Sequence, residues 1–170
     1  VAEAYIKISH PFDPVCDGAC RALVLGTFPS VQSRVNQFYY GHPQNRFWRV
    51  LGALFGAPVP MSVEAKRLLL LQNHIALWDV LATCDITGSA DGSIRNAMPN
   101  DIAGLFKTAP IKAVFANGQA AATLYRRFCE ADAGMPAVAL PSTSPANAAW
   151  TVAKLSEAWQ PLRACVQFKP

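Results

Sequence analysis

A chain of 170 residues that is 52% hydrophobic and only 15% charged has enough apolar surface for one well-buried α/β domain over residues 1–170. Its net charge of +4 permits a polyanionic partner without demanding one. No run approaches the roughly 18 consecutive apolar residues of a membrane span, and no charged-then-apolar leader is evident, so no membrane partner and a cytoplasmic location are expected.

Residues 1–20 carry prolines, a glycine and little periodicity, and read as an N-terminal arm packed on the body, with His10-Pro11-Phe12 as a docked turn. Ala22–Leu25 is an apolar run too short for a helix and closed by Gly26, the pattern of a buried parallel strand. A polar connection follows, and helical spacing begins at Asn45, placed as an N-cap, and runs to about Phe55. Gly56 to Pro60 stops that helix. Ser62 caps the next, whose residues Leu68 to Leu71 read as core. Ile75–Leu81 is a second short strand passing into a helical turn or loop; its one charge, Asp79, either supports a site or caps the next turn.

Residues 83–101 are dense in Gly and Asp and read as a loop, with Arg95 and Asn96 either solvated or touching a phosphate backbone. Asn100-Asp101 opens a short helix through Phe106. Ile111–Ala116 is a third strand, turning at Asn117-Gly118 into a helix that ends near Glu130. Ala137–Leu140 is the fourth strand. After Pro141–Asn147 comes one long amphipathic helix from Ala148 to about Val166, with Trp150, Val152, Leu155, Trp159 and Leu162 on its buried side and Pro161 as a kink. The order β-α-α-β-α-β-α predicts a three-layer α/β/α fold around a central, mainly parallel four-stranded sheet. Cys16, Cys20, Cys84, Cys129 and Cys165 are odd in number and scattered, which favours free thiols over a metal site.

Two loops stand at the carboxyl ends of strands, where open α/β sheets hold ligands. The first runs Gly26-Thr27-Phe28-Pro29-Ser30 and on to Tyr39-Tyr40-Gly41-His42-Pro43-Gln44-Asn45-Arg46-Phe47-Trp48. Its aromatic faces and neutral amides, with no carboxylate or cysteine, suit a flat hydrogen-bonding ring better than a metal or a phosphate. The second, Ser142-Thr143-Ser144-Pro145-Ala146-Asn147, offers three hydroxyls before a helix: a phosphate cradle or an ordinary cap.

Together these loops resemble the uracil-DNA glycosylase superfamily, most closely its hypoxanthine-DNA (deoxyinosine) glycosylase branch. The resemblance implies the uracil-DNA glycosylase-like fold and a monofunctional glycosylase that hydrolyses the N-glycosidic bond of a flipped, deaminated base in damaged DNA, duplex or single-stranded. It implies Asn45 and His42 as catalytic residues. Gly26, Thr27, Phe28, Tyr40, Gly41 and Asn117 would bind the base, and Pro29, Ser30, Ser142, Thr143, Ser144 and Asn147 the DNA backbone. Asn45 and His42 also have plain structural readings, as a helix cap and a fixed turn. No cofactor and no metal are expected; a monomer is, associated with the nucleoid if the cell is prokaryotic.

One departure stands out. Many relatives carry Asn or Asp where this chain has Phe28, to align the attacking water; in the hypoxanthine branch that role falls to the position of Asn45. Ala146 and Asn147 are small for the wedge that fills the gap left by an extruded base. Three other functions remain: a uracil or thymine mismatch glycosylase of the same fold, a damage-binding module without catalysis, and a hydrolase using Ser30 or Ser142 with His42. The last lacks a Gly-x-Ser-x-Gly elbow and an evident acidic partner.

Overall fold

A computed structural model describes residues 4–167. Its centre is a parallel sheet of four strands in the order β3-β2-β6-β7, formed by β2 (Ala22–Gly26), β3 (Ile75–Asp79), β6 (Ala113–Asn117) and β7 (Ala137–Leu140). All five residues of β2 are buried. Ala22 and Val24 enter one core, with α2 (Phe47–Phe55), α3 (Val63–Gln72), α7 (Val152–Ala158) and α8 (Gln160–Val166). Leu23 and Leu25 enter the other, with α4 (Ile102–Leu105), α5 (Gln119–Phe128) and the start of α6 (Glu130–Ala133) at its N-cap, Cys129. Burial on both faces is why this strand reads as a continuous apolar run instead of an alternating one. The predicted three-layer α/β/α architecture is the one observed.

The structure corrects several local expectations. The stretch 83–101 is not a loop: it holds most of β4 (Leu81–Ile86) and all of β5 (Arg95–Pro99), joined through the 3-10 turn Asp91–Ser93. With β1 (Ile6–Ser9) from the N-terminal arm they form an antiparallel sheet in the order β1-β4-β5. Two register irregularities between β4 and β5 break the period-2 pattern that would have announced the strands. Leu81, Cys84 and Ile86 nevertheless face the core. The second predicted strand therefore passes, after Val80, directly into another strand and not into a helical turn.

Other boundaries move. A short helix, α1 (Val31–Asn36), interrupts the connection after β2, with Ser30 Oγ accepting from Ser33 N. Helix α2 starts at Phe47, two residues after Asn45, although Asn45 Oδ1 still accepts from Phe47 N at 2.9 Å. The long C-terminal helix is two helices: Thr151 caps α7, and Pro161 lies in the first turn of α8, where its missing N–H costs nothing. Leu155, Trp159 and Leu162 are fully buried, as their spacing predicts, whereas Leu68 of α3 is 54% exposed and outside the core.

Strand β2 lies between β3 and β6, so the chain departs from it in opposite directions. The crevice between the ends of β2 and β6 is the switch point at which sheets of this kind bind ligands. Truncating Leu25→Ala, at the centre of the sheet and 0% exposed, is expected to cost about 2–5 kcal/mol. Urea unfolding checks this through a lower midpoint at unchanged slope.

Candidate active site

The crevice is a cavity of about 370 Å³ lined by Gly26–Ser30, Tyr40, His42 and Asn45 from the first loop, Asn117 from β6 and Ser142–Ala146 from the second loop. Asp79, Ser33, Tyr39, Ser89 and Asp91 complete its walls. Of the residues predicted to bind base or backbone, Gly41 and Asn147 stand off the wall. Gly41 packs tightly against α1: a methyl there would lie 3.0 Å from Asn36 Nδ2, and its N–H donates to Ser33 Oγ at 2.9 Å. Asn147 Nδ2 donates to Ser142 O at 3.0 Å and so braces the second loop from behind.

Three side chains from separate parts of the chain form one hydrogen-bonded line. Thr143 N donates to Asn117 Oδ1 at 3.0 Å, which fixes the orientation of that amide. Asn117 Nδ2 then donates to Thr143 Oγ1 at 3.0 Å. The hydroxyl passes its own proton to Asn45 Oδ1 at 2.9 Å, and Phe47 N donates to the same oxygen. Because a backbone N–H pins each end, the direction of every bond is settled. Asn45 therefore spends its carbonyl on structure and keeps its N–H2 group, a pure donor, for the cavity. Thr143 is fully buried at the middle of this line.

Arg46, which the sequence reading passed over, ties the two loops together. Its backbone N–H and its Nε both donate to Thr143 O, at 3.1 and 3.3 Å. Its Nη2 donates to Ser144 O at 2.6 Å and to Asn147 O at 3.0 Å, and its Nη1 to Trp150 O. A half-buried guanidinium thus sits under the second loop on carbonyl oxygens. Gly118 sits at φ +96° where a methyl would lie 3.0 Å from Ser142 Cβ, so the turn after β6 needs glycine to let this loop approach.

His42 is exposed at the mouth. Its Nδ1 accepts from Gln44 N at 3.1 Å, so in the neutral ring the proton is on Nε2. Tyr39 is core: its hydroxyl donates to Asp13 O at 2.8 Å, and burial is the first cause of a strongly raised phenol pKa. Tyr40 stacks one face on Phe47, with ring centroids 4.1 Å apart, and Phe28 closes the floor. Burial, then the nearby Asp79 charge, holds the Tyr40 phenol far above its ordinary range. Asn117 lies close enough to oppose this, yet the Tyr40 hydroxyl is buried and meets no hydrogen-bond partner of proper geometry.

Two acids and a histidine enter from outside the two motif loops; of these the sequence offers only Asp79, as either a support for the site or a turn cap. Asp79, at the end of β3, is 3% exposed and pairs through Oδ2 with His10 Nε2 at 2.8 Å. His10 belongs to the arm, and its Nδ1 is 2.7 Å from Phe12 O. Asp91 comes from the segment read as a loop. Burial among the walls raises its carboxyl to about 6, Asp79 adds to the shift, and a Thr27 hydrogen bond opposes it. The residue as a whole is open to solvent, which screens part of this effect. Among the described residues no three His, Cys, Asp or Glu side chains converge as a metal site, and all five cysteines are free. Cys20 is buried, with its thiol pushed up to about 12, chiefly by burial.

A sequence profile of the Uracil DNA glycosylase superfamily matches residues 13–163. The chain belongs to that superfamily. It is 35% identical over 155 residues to a protein of Methanosarcina acetivorans named Hypoxanthine DNA glycosylase, covering 90% of this chain and 96% of that one. A Methanosarcina barkeri protein of the same name is 37% identical over 110 residues, covering 64% of this chain and 70% of that one. Among solved structures, the solution NMR structure of an M. acetivorans protein described as a candidate uracil DNA glycosylase superposes with a TM-score of 0.79 at 33% identity. That match covers 94% of this chain and 99% of the other.

Two predictions concern the cavity of this superfamily member. Thr143→Val keeps the volume but strips a buried hydroxyl from between two half-buried amides, and is expected to destabilise the fold by about 1–3 kcal/mol in urea unfolding. For Asp91 the folded state holds its proton longer than the ordinary carboxyl of 3.8. Its contribution to stability is present below about pH 3.8 and is lost as pH rises through about 6. Asp91→Asn should remove that falling limb, seen as a flatter unfolding midpoint across this window.

Proposed function

We propose that this chain is a monofunctional DNA glycosylase that removes hypoxanthine from DNA, hydrolysing the N-glycosidic bond of a flipped deoxyinosine. The observation that carries this reading is the fixed amide of Asn45 at the mouth of a base-sized crevice, in a chain similar over most of its length to proteins named hypoxanthine DNA glycosylase. A cavity of about 370 Å³ is near the lower end of ligand pockets, which run from roughly 300 to 1,000 Å³. It fits a single extruded base. Extrusion costs a few kcal/mol, less at a mispair.

Cleavage separates charge: the sugar becomes oxocarbenium-like while the base departs with the bonding electrons. Asn45 Nδ2 can donate to the oxygen of a water and leave its other lone pair aimed at the anomeric carbon. It orients without deprotonating. A purine takes up a proton as it leaves more readily than uracil does, so orientation without a strong base is enough, and apolar Phe28 in the usual water-aligning position is consistent with that. No lysine lines the cavity, so water is the nucleophile and the strand stays intact at the abasic product.

Around the mouth, His42 Nε2–H is placed to donate to the leaving base or the sugar. Gly26, Thr27, Phe28, Tyr40 and Asn117 hold the base. Pro29, Ser30, Ser142, Thr143 and Ser144 meet the backbone, with Arg46 lending positive charge beneath them. Arg95, stacked over Tyr5 at 3.8 Å, and Arg127 line a neighbouring groove that shares Asp91 with the cavity and offers a path for flanking phosphates. We assign Gly41 and Asn147 supporting parts, consistent with their positions off the wall. The protein acts as one domain and a monomer on DNA, at the nucleoid if the cell is prokaryotic.

The neighbouring reading, uracil excision, is favoured by the description of the solved relative. Single-turnover excision from oligonucleotides carrying hypoxanthine, uracil or a G·T mispair, followed by alkali cleavage, separates the two. Hypoxanthine release is expected, with Asn45→Ala slowing it at least about a hundredfold, the scale of losing one oriented donor. Uracil release alone moves the substrate to the neighbouring branch. Binding to damaged duplex without release marks a reader of lesions.

A further inference from the structure

Two polar atoms at the floor of the cavity are left over from the Asn117–Thr143–Asn45 line. One is Asp79 Oδ1. The other is Tyr40 Oη, buried and without a hydrogen-bond partner. Both close on the same point above Gly26: a methyl on that glycine would press on Asp79 Oδ1 and lie 2.8 Å from Tyr40 Oη. The remaining carboxylate oxygen, Oδ2, is held by His10 Nε2. Phe12 O, which can only accept, receives a hydrogen bond from His10 Nδ1–H, so both ring nitrogens face acceptors, both carry hydrogen, and the ring cannot turn. Side chains of both partners are 5% exposed. An aimed acceptor and an unsatisfied hydroxyl, side by side in a buried floor, are a site waiting for a complementary edge.

We propose that Asp79 and Tyr40 read the chemical change that deamination makes, with His10 as the positioning residue; this rests on the glycosylase reading above. A purine enters tethered to its sugar through N9, so the opposite edge, N1 and position 6, arrives first at the floor. In hypoxanthine N1 carries a hydrogen and position 6 is a keto oxygen. Asp79 Oδ1 accepts the N1–H and Tyr40 Oη donates to the keto oxygen. In adenine N1 is a lone pair. It faces the carboxylate, repels it, and leaves a desolvated oxygen unpaired, the strongest form of rejection a polar site has.

His10 adds a second discrimination. Guanine shares the N1–H but adds a 2-amino group, and a free carboxylate would take both in a bidentate grip. With Oδ2 occupied by His10, only one acceptor remains. Uracil, like hypoxanthine, presents a ring N–H beside a keto oxygen. Asp79 therefore separates deaminated from amino bases, while the size of the cavity separates purine from pyrimidine.

The test is binding to oligonucleotides made uncleavable by a 2′-fluoro sugar and carrying hypoxanthine, adenine or guanine at one position. Excision is measured alongside. Asp79→Asn is expected to lose tenfold or more of the hypoxanthine-over-adenine preference. His10→Gln, which keeps an N–H for Asp79, should hold that preference, and His10→Phe should lower it and admit guanine. A preference unchanged within twofold in Asp79→Asn overturns the proposal, whatever happens to the rate, and assigns Asp79 to the water or the sugar instead. If that variant does not fold, wild type is offered unsubstituted purine, which has neither ring N–H nor keto group; affinity equal to hypoxanthine overturns the idea equally. Wild type that releases uracil and not hypoxanthine refutes the substrate assignment alone, and the uracil-to-cytosine ratio then tests Asp79.

Discussion

The crevice depends on one buried line of hydrogen bonds, from Asn117 through the Thr143 hydroxyl to Asn45, pinned by the backbone N–H of Thr143 at one end and of Phe47 at the other. The line joins the end of β6, the loop after β7 and the entry to α2. No member can rotate without stranding a buried donor or acceptor, at a cost of about 1–3 kcal/mol each. That penalty turns three flexible polar side chains into a fixed frame. Arg46, adjacent to Asn45, repeats the same connection through three carbonyls of the second loop and that of Trp150 just beyond it. Both the loops and the amide that faces the cavity are therefore set before any ligand arrives, which is the preorganisation that transition-state stabilisation requires.

Beneath this neutral frame lies a charged floor. Asp79 is buried and matched by His10, and Asp91 stands nearby with its own charge made less favourable by burial and by Asp79. The division has chemical sense for a superfamily that breaks a bond between a sugar and a base. Neutral donors at the mouth suit an oriented water, and negative charge within reach suits a sugar that turns positive. Phe28 puts an apolar ring on the first loop, and the amide fixed at the mouth is Asn45.

The antiparallel sheet β1-β4-β5 explains how the arm reaches the site. Pairing of β1 with β4 carries the chain to the edge of the crevice, where His10 N donates to Ala82 O and the side chain turns in to Asp79. Val15, bridged to Leu77, fastens the arm again beside β3. A segment that looks like a surface appendage is thus part of the floor.

Local sequence determined the central sheet, both motif loops and most helices, because each rests on short-range signals: apolar runs of strand length, Gly or Pro stops, and Ser62, Asp101 and Asn45 ahead of helical spacing. That Asn45, Asn117 and Thr143 come to one crevice was legible for the same reason, since each lies at a strand end or within a recognisable motif. What the sequence could not fix was pairing across distance. Strands β4 and β5 are irregular in register and lack alternation, so only their partners show that they are strands. The contact of His10 with Asp79 spans 69 residues, and Arg46 reaches carbonyls about a hundred residues away whose acceptors are the same in every amino acid. Side-chain identity says what a residue can donate or accept; only the folded backbone decides what stands opposite it.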